Sequence, residues 1–135
     1  MISNKEIQIV IMIIIIFFFY SSYATLSYNV KSFGAKSNGK SDCTKAFLSA
    51  ACTATKPAAI YVPLGRYLLR NAVFSGKLCK NTAITIRIDG TLVFPNNYSV
   101  IGNSGTWLKF EKASGVSIYG GTLDGQGAVL WACKN

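Results

Sequence analysis

Few side chains in this 135-residue chain are able to carry chemistry. It has no histidine, which excludes histidine-activated nucleophiles, imidazole acid–base catalysis and the usual zinc sites. Two carboxylates held with room for a reacting group between them can act as general acid and general base. Behind the apolar N-terminal run, the carboxylates are Asp42, Asp89, Glu111 and Asp124. Asp42 stands where a helix begins, and capping explains it. Asp89 and Asp124 each precede glycine, and a turn role explains both. Glu111 beside Lys112 reads as a solvated loop charge. Asp89 and Asp124 are able to approach each other across stacked turns, but nothing in the sequence raises either pKa, so no catalytic pair is expected. Arg66, Arg70 and Arg87 lie on or beside strand patterns, where a guanidinium fork suits carboxylate recognition. The competing reading is that these are solvent-facing strand residues. No spacing among Cys43, Cys52, Cys79 and Cys133 matches a zinc pattern, and no metal or cofactor is expected.

The elements that must position these residues centre on residues 84–127. Apolar residues alternate at Ile84, Ile86 and Ile88, then at Val116, Ile118 and the Gly120-Gly121 pair, which means strands with one face buried. A shift of 30 residues lays Val116 and Ile118 over Ile86 and Ile88, whereas the two Gly-Thr-Leu triplets, 90–92 and 121–123, repeat at 31. Weak repeats of short strands suggest a solenoid in which each turn covers the next, although two copies can also arise by chance. Upstream, Tyr28, Val30 and Phe33 alternate as a first strand, and Asn38-Gly39 signals a turn. Ser41 or Asp42 is placed to cap a helix from Thr44 to about Thr53, with Phe47, Ala50 and Ala51 on one side. That helix is placed to cap the open end of the stack. Pro57 ends the helical region; residues 60–62, 65–69 and 107–110 read as further strands, with Trp107 in the core.

Residues 7–19 are apolar except for Gln8, follow Lys5 and precede Ser22-Tyr23-Ala24, the order of a secretory leader cleaved after Ala24. An uncleaved anchor and a buried helix are the alternatives, but a spanning helix needs about 20 apolar residues. Lys5 and Glu6 leave together, so residues 25–135 keep the net charge of +9. A secreted chain this basic attracts polyanions such as acidic polysaccharides or anionic membranes. Its basic residues are scattered and form no nucleic-acid signature. The charge alternatively serves only solubility. Four cysteines in a secreted chain permit three pairings, among which the sequence does not choose.

The blocks YNVKSFGAKSNGKSDCTKAFLSA, IYVPLGRYLLRNAVFSGKLCK, ITIRIDGTLVFP and GGTLDGQGAVLWACK together resemble the opening portion of plant polygalacturonases. The resemblance implies an all-β, right-handed parallel β-helix (a pectin lyase-like solenoid) over residues 25–135, with a short capping helix and its C-terminal turns missing. It further implies a secreted, cell-wall glycoside hydrolase that cuts α-1,4-galacturonan of pectin with inversion and no cofactor. On that reading Cys52 pairs with Cys79, Cys133 pairs with a cysteine further along, and the extra thiol of Cys43 has no clear partner. The family's Asn-Thr-Asp, Asp-Asp, Gly-His-Gly and Arg-Ile-Lys motifs do not occur here, so catalytic residues are expected beyond Asn135 and the chain itself is expected to be inactive. Arg66, Arg87 and Trp131 are then candidates to contact pectin or polygalacturonate. The full-length protein is expected to be a monomer, off the membrane after leader cleavage. A non-catalytic secreted binder of acidic polysaccharide is the alternative from another class, and a product that aggregates through open strand edges is the third.

Overall fold

The computed structural model describes residues 1–19, 26–53, 58–79, 82–100 and 104–128. A first helix, α1 (Asn4–Phe19), opens with a capping box in which Ser3 Oγ accepts from the Glu6 N–H at 3.4 Å and Glu6 Oε2 accepts from the Ser3 N–H at 3.2 Å. No residue of α1 is buried. Among the described residues no helix is long and apolar enough to cross a membrane.

The remaining elements are coils of short parallel strands. The first coil holds β1 (Leu26–Asn29) and β2 (Asn38–Asp42), and the second holds β3 (Ala58–Val62), β4 (Arg66–Leu68) and β5 (Ala72–Ser75). The third holds β6 (Ala83–Ile88), β7 (Thr91–Val93) and β8 (Leu108–Glu111), and the fourth β9 (Gly115–Tyr119) and β10 (Thr122–Asp124). Corresponding strands pair into three sheets, β1-β3-β6-β9, β2-β4-β7-β10 and β5-β8, and every pairing is parallel. This is a parallel β-helix. In chain order the helix α2 (Thr44–Thr53) falls between β2 and β3, while the coils on either side of it stack directly through β1–β3 and β2–β4.

In-register stacking places like on like. Ile60 pairs with Ile86 and Ile86 with Ile118, Tyr67 with Leu92 and Leu92 with Leu123, and Phe74 with Phe110, whose rings stack 5.0 Å apart. Ile60, Ile86, Tyr67, Leu92 and Phe74 are buried, each contributing roughly 1.5–3 kcal/mol by leaving water. Phe47, fully buried on α2, meets Tyr67 edge-on at 6.1 Å, so the helix joins the same core.

The observed register corrects the 30-residue shift. Ile84 pairs with Val116 and Ile86 with Ile118, a spacing of 32, while Thr91 pairs with Thr122 at the 31 of the Gly-Thr-Leu triplets. Shifts of 30 and 32 bury the same face of a strand of period two, so only the hydrogen-bond ladder separates them. Val116 and Ile118, expected to be buried, are each 41% exposed, because no strand among the described residues lies on the other side of β9.

Two local expectations also shift. Strand β1 stops at Asn29, whose Oδ1 accepts from the Lys31 N–H at 2.9 Å and caps a 3-10 helix over Val30–Phe33. Asn38 lies within β2, but its Oδ1 accepts from the N–H groups of Lys40 and Ser41 and the register slips before Asp42, so the expected turn is built into an irregular strand.

The corners between the first and second sheets stack backbone on backbone. The Thr91 N–H donates to the Gly65 carbonyl and the Thr122 N–H to the Gly90 carbonyl. A Cβ on Gly90 would stand 2.5 Å from the Pro63 oxygen and 2.6 Å from the Gly65 oxygen. Glycine is required there by the close approach of two stacked coils.

Candidate functional site

Register decides which outward side chains meet. Across the first sheet, in-register pairing aligns Asn29, Tyr61, Arg87 and Tyr119 in one row. Ile60, Val62, Ile86 and Ile88 alternate with that row and face the core, so the row faces solvent. Arg87 is exposed and Tyr119 is 52% exposed. The Arg87 guanidinium lies 5.7 Å from the centre of the Tyr61 ring, within cation–π range. Asp89 holds both neighbours. It accepts a 2.7 Å hydrogen bond from Tyr61 Oη, and its Oδ1 lies 3.7 Å from Arg87 Nε. Donation to Asp89 pushes the Tyr61 phenol above its ordinary range, so at neutral pH it stays a protonated donor. The Asp89 contact uses Nε, and among the described residues neither Nη of Arg87 has an acceptor.

Arg66 is on the second sheet, not beside Arg87. Its Nη2 lies 3.0 Å from Asp124 Oδ2. The Gln126 N–H and then the Arg66 guanidinium hold the Asp124 carboxyl below its usual range. The Arg70 N–H donates to Thr44 Oγ1 at 2.9 Å, tying the segment after β4 to the start of α2.

The other carboxylates are also committed. Asp42 accepts from the Thr44 N–H at 2.9 Å and from its hydroxyl at 2.6 Å, at the start of α2. Glu111 is a strand residue, not the loop charge expected, because β8 pairs with β5 through Ser75 and Glu111. The Lys109 ammonium beside it holds its carboxyl low. Asp89 and Asp124 belong to different sheet corners and have different partners. Asp124 and Glu111 therefore remain ionised at neutral pH, which suits them to ion pairing rather than to proton donation.

The Trp107 indole N–H donates to the Leu69 carbonyl at 3.0 Å and the ring meets Phe94 edge-on at 5.5 Å, a packing role. Cys52 and Cys79 form a disulfide, and Cys43 is a buried free thiol that exchanges hydrogen bonds with the Lys36 backbone. Among the described residues no group of histidine, cysteine or carboxylate side chains is arranged to hold a metal ion. Trp131 and Cys133 lie outside the described residues. Reading the sequence did not single out Tyr61 and Tyr119. The signal was there in the outward positions between buried isoleucines, but aligning them needs the 32-residue register.

A family model described as rhamnogalacturonase A/epimerase, pectate lyase-like, matches residues 27–126. A polygalacturonase of Prunus persica is 60% identical over 112 residues, covering 81% of this chain and 28% of that protein. An exopolygalacturonase of Zea mays is 36% identical over 110 residues, covering 78% of this chain and 26% of the relative. One of Platanus acerifolia is 35% identical over 112 residues, 80% of this chain and 29% of the relative. The chain thus spans a little over a quarter of the length of these curated relatives.

Proposed function

Because the chain belongs to the rhamnogalacturonase A/epimerase, pectate lyase-like family, we propose that the protein is of the polygalacturonase type, hydrolysing α-1,4-galacturonan of pectin with inversion and without a cofactor. The observation that carries this reading is the 60% identity over 112 residues to a polygalacturonase. Inversion needs an acid and a base carboxylate about 6.5–9.5 Å apart around a water. Each of Asp42, Asp89, Glu111 and Asp124 is bound to other partners within the chain, which supports placing the acid and base outside the described residues. The described coils then serve as scaffold and glycan-contacting surface. Of the two arginines suggested by the sequence, Arg87 is the better uronate contact, since Arg66 is already engaged by Asp124. Residues 1–24 act as a cleaved leader that sends a monomeric protein to the cell wall, a reading supported by the exposed apolar helix α1. N-terminal sequencing of the secreted protein should begin at Thr25.

The test is release of reducing ends from polygalacturonate. The protein purified from its source should release them, and the 135-residue chain alone should not. Cleavage of rhamnogalacturonan with polygalacturonate left intact would refute the substrate. Cleavage by the 135-residue chain would refute the placement of the acid and base. A second reading, a non-catalytic binder of acidic polysaccharide, is favoured by the outward row of half-buried Tyr61 with exposed Arg87 and Tyr119, together with the net charge of +9.

A further inference from the structure

We infer that the outward row Tyr61–Arg87–Tyr119 is a binding site for an anionic polysaccharide chain, with Arg87 pairing a uronate carboxylate between two aromatic platforms. This deepens the galacturonan reading and rests on it for the identity of the anion.

Three features support the assignment. The first is composition at one spot: in-register pairing places a guanidinium between two phenol rings on adjacent parallel strands. Strands lie about 4.8 Å apart, so the two rings are roughly 10 Å apart along the stack, long enough to contact more than one sugar ring. Phenol faces pack against the apolar C–H faces of pyranoses, while a guanidinium fork meets a carboxylate through two parallel hydrogen bonds. The second feature is preorganisation. Asp89 takes the Tyr61 hydroxyl and Arg87 Nε, while neither Nη has an acceptor among the described residues. The side chain is thus oriented before a ligand arrives, which reduces the entropy lost on binding. The third is shape. The adjacent row, Ser27, Ala59, Thr85 and Ser117, carries only small side chains, exposed at Ser27 and Ser117, half-buried at Thr85 and recessed at Ala59, which is 7% exposed. It forms a shallow floor beside the taller row, suited to a linear polymer lying across the strands. The net charge of +9 supplies long-range attraction to such a polymer, and the row supplies the local contact.

The test measures affinity of the 135-residue chain for polygalacturonate and for fully methyl-esterified galacturonan, which keeps the rings and loses the carboxylates. Arg87→Gln and Tyr119→Ala each alter an exposed side chain, and Lys45→Gln removes one positive charge on α2 as a control. The expected result is a loss of about ten-fold for each row variant, with the control within about two-fold of the parent. The methyl ester, which loses the long-range attraction as well as the Arg87 contact, should bind more weakly still than polygalacturonate binds Arg87→Gln. Circular dichroism should show all variants folded, and Arg87→Lys, which keeps the charge but loses the fork, should recover only part of the affinity. Equal losses for Lys45→Gln and Arg87→Gln would reduce the effect to net charge and overturn the site. Row variants that bind like the parent, equal binding of the methyl ester, or no binding of polygalacturonate by the parent would also overturn it. None of these outcomes bears on the hydrolysis reading, which stands or falls on reducing-end release by the protein from its source.

Discussion

Arg66 and Asp124 form an ion pair, Nη2 to Oδ2 at 3.0 Å, although 58 residues separate them in the chain. Their strands β4 and β10 do not pair with each other; both pair with β7, which lies between them. The contact therefore spans a whole strand and couples the second coil to the fourth.

Both partners are more than a third exposed, at 55% and 38%, so solvent screens the pair and its contribution is small. Because the Asp124 pKa is depressed in the fold, its contribution is complete above the unfolded value of 3.8 and is lost as pH falls through the lower folded value. Arg66→Gln should therefore lower the thermal midpoint slightly at pH 7. The gap to the parent should close as pH falls below 3.8 and shrink at high salt. A gap independent of both pH and salt would assign the effect to packing of the arginine stem.

The Cys52–Cys79 bridge closes a loop of sequence separation 27 and joins the last turn of α2 to the residues after β5. On the chain-entropy account, replacing both cysteines by serine should cost about 3.5 kcal/mol. Chemical denaturation with and without reductant measures this. Reductant should destabilise the parent by a similar amount and leave the double variant unchanged.

Gly90→Ala places a methyl against two backbone oxygens of the preceding coil, and neither can swing away as a side-chain tip would. It should destabilise by about 3 kcal/mol or prevent folding. Gly125→Ala, where an added Cβ meets nothing within 4 Å, should change the midpoint little. Equal effects of the two would mean that the corners do not pack as described.

The Cys43 thiol is 1% exposed, and burial pushes its pKa above the usual thiol range. Both features suppress the reactive thiolate at pH 8. Peptide mapping after iodoacetamide treatment should find Cys43 unmodified in native protein and alkylated in denaturant. Since its folded pKa is the higher one, its stabilising effect is present below the unfolded pKa and lost as pH rises through the folded value. Rapid native labelling would show that the segment around α2 opens readily.

The sequence alone carried the elements whose signal is local. The Ile84, Ile86 and Ile88 alternation, the α2 bounds at Thr44 and Thr53 and the packing role of Trp107 rest on period, capping and turn chemistry within a few residues. The lineage was legible as well, because whole blocks of residues carry it.

Tertiary structure alone decided the register. Alternation repeats every two residues, so shifts of 30 and 32 satisfied it equally, and only ladder hydrogen bonds selected 32 for β6 and β9. Everything that depends on register was hidden with it: the Arg66–Asp124 pair across β7, and the alignment of Tyr61, Arg87 and Tyr119. Such contacts join residues tens of positions apart. Their energies depend on distances of a few ångströms, which no local pattern in a sequence records.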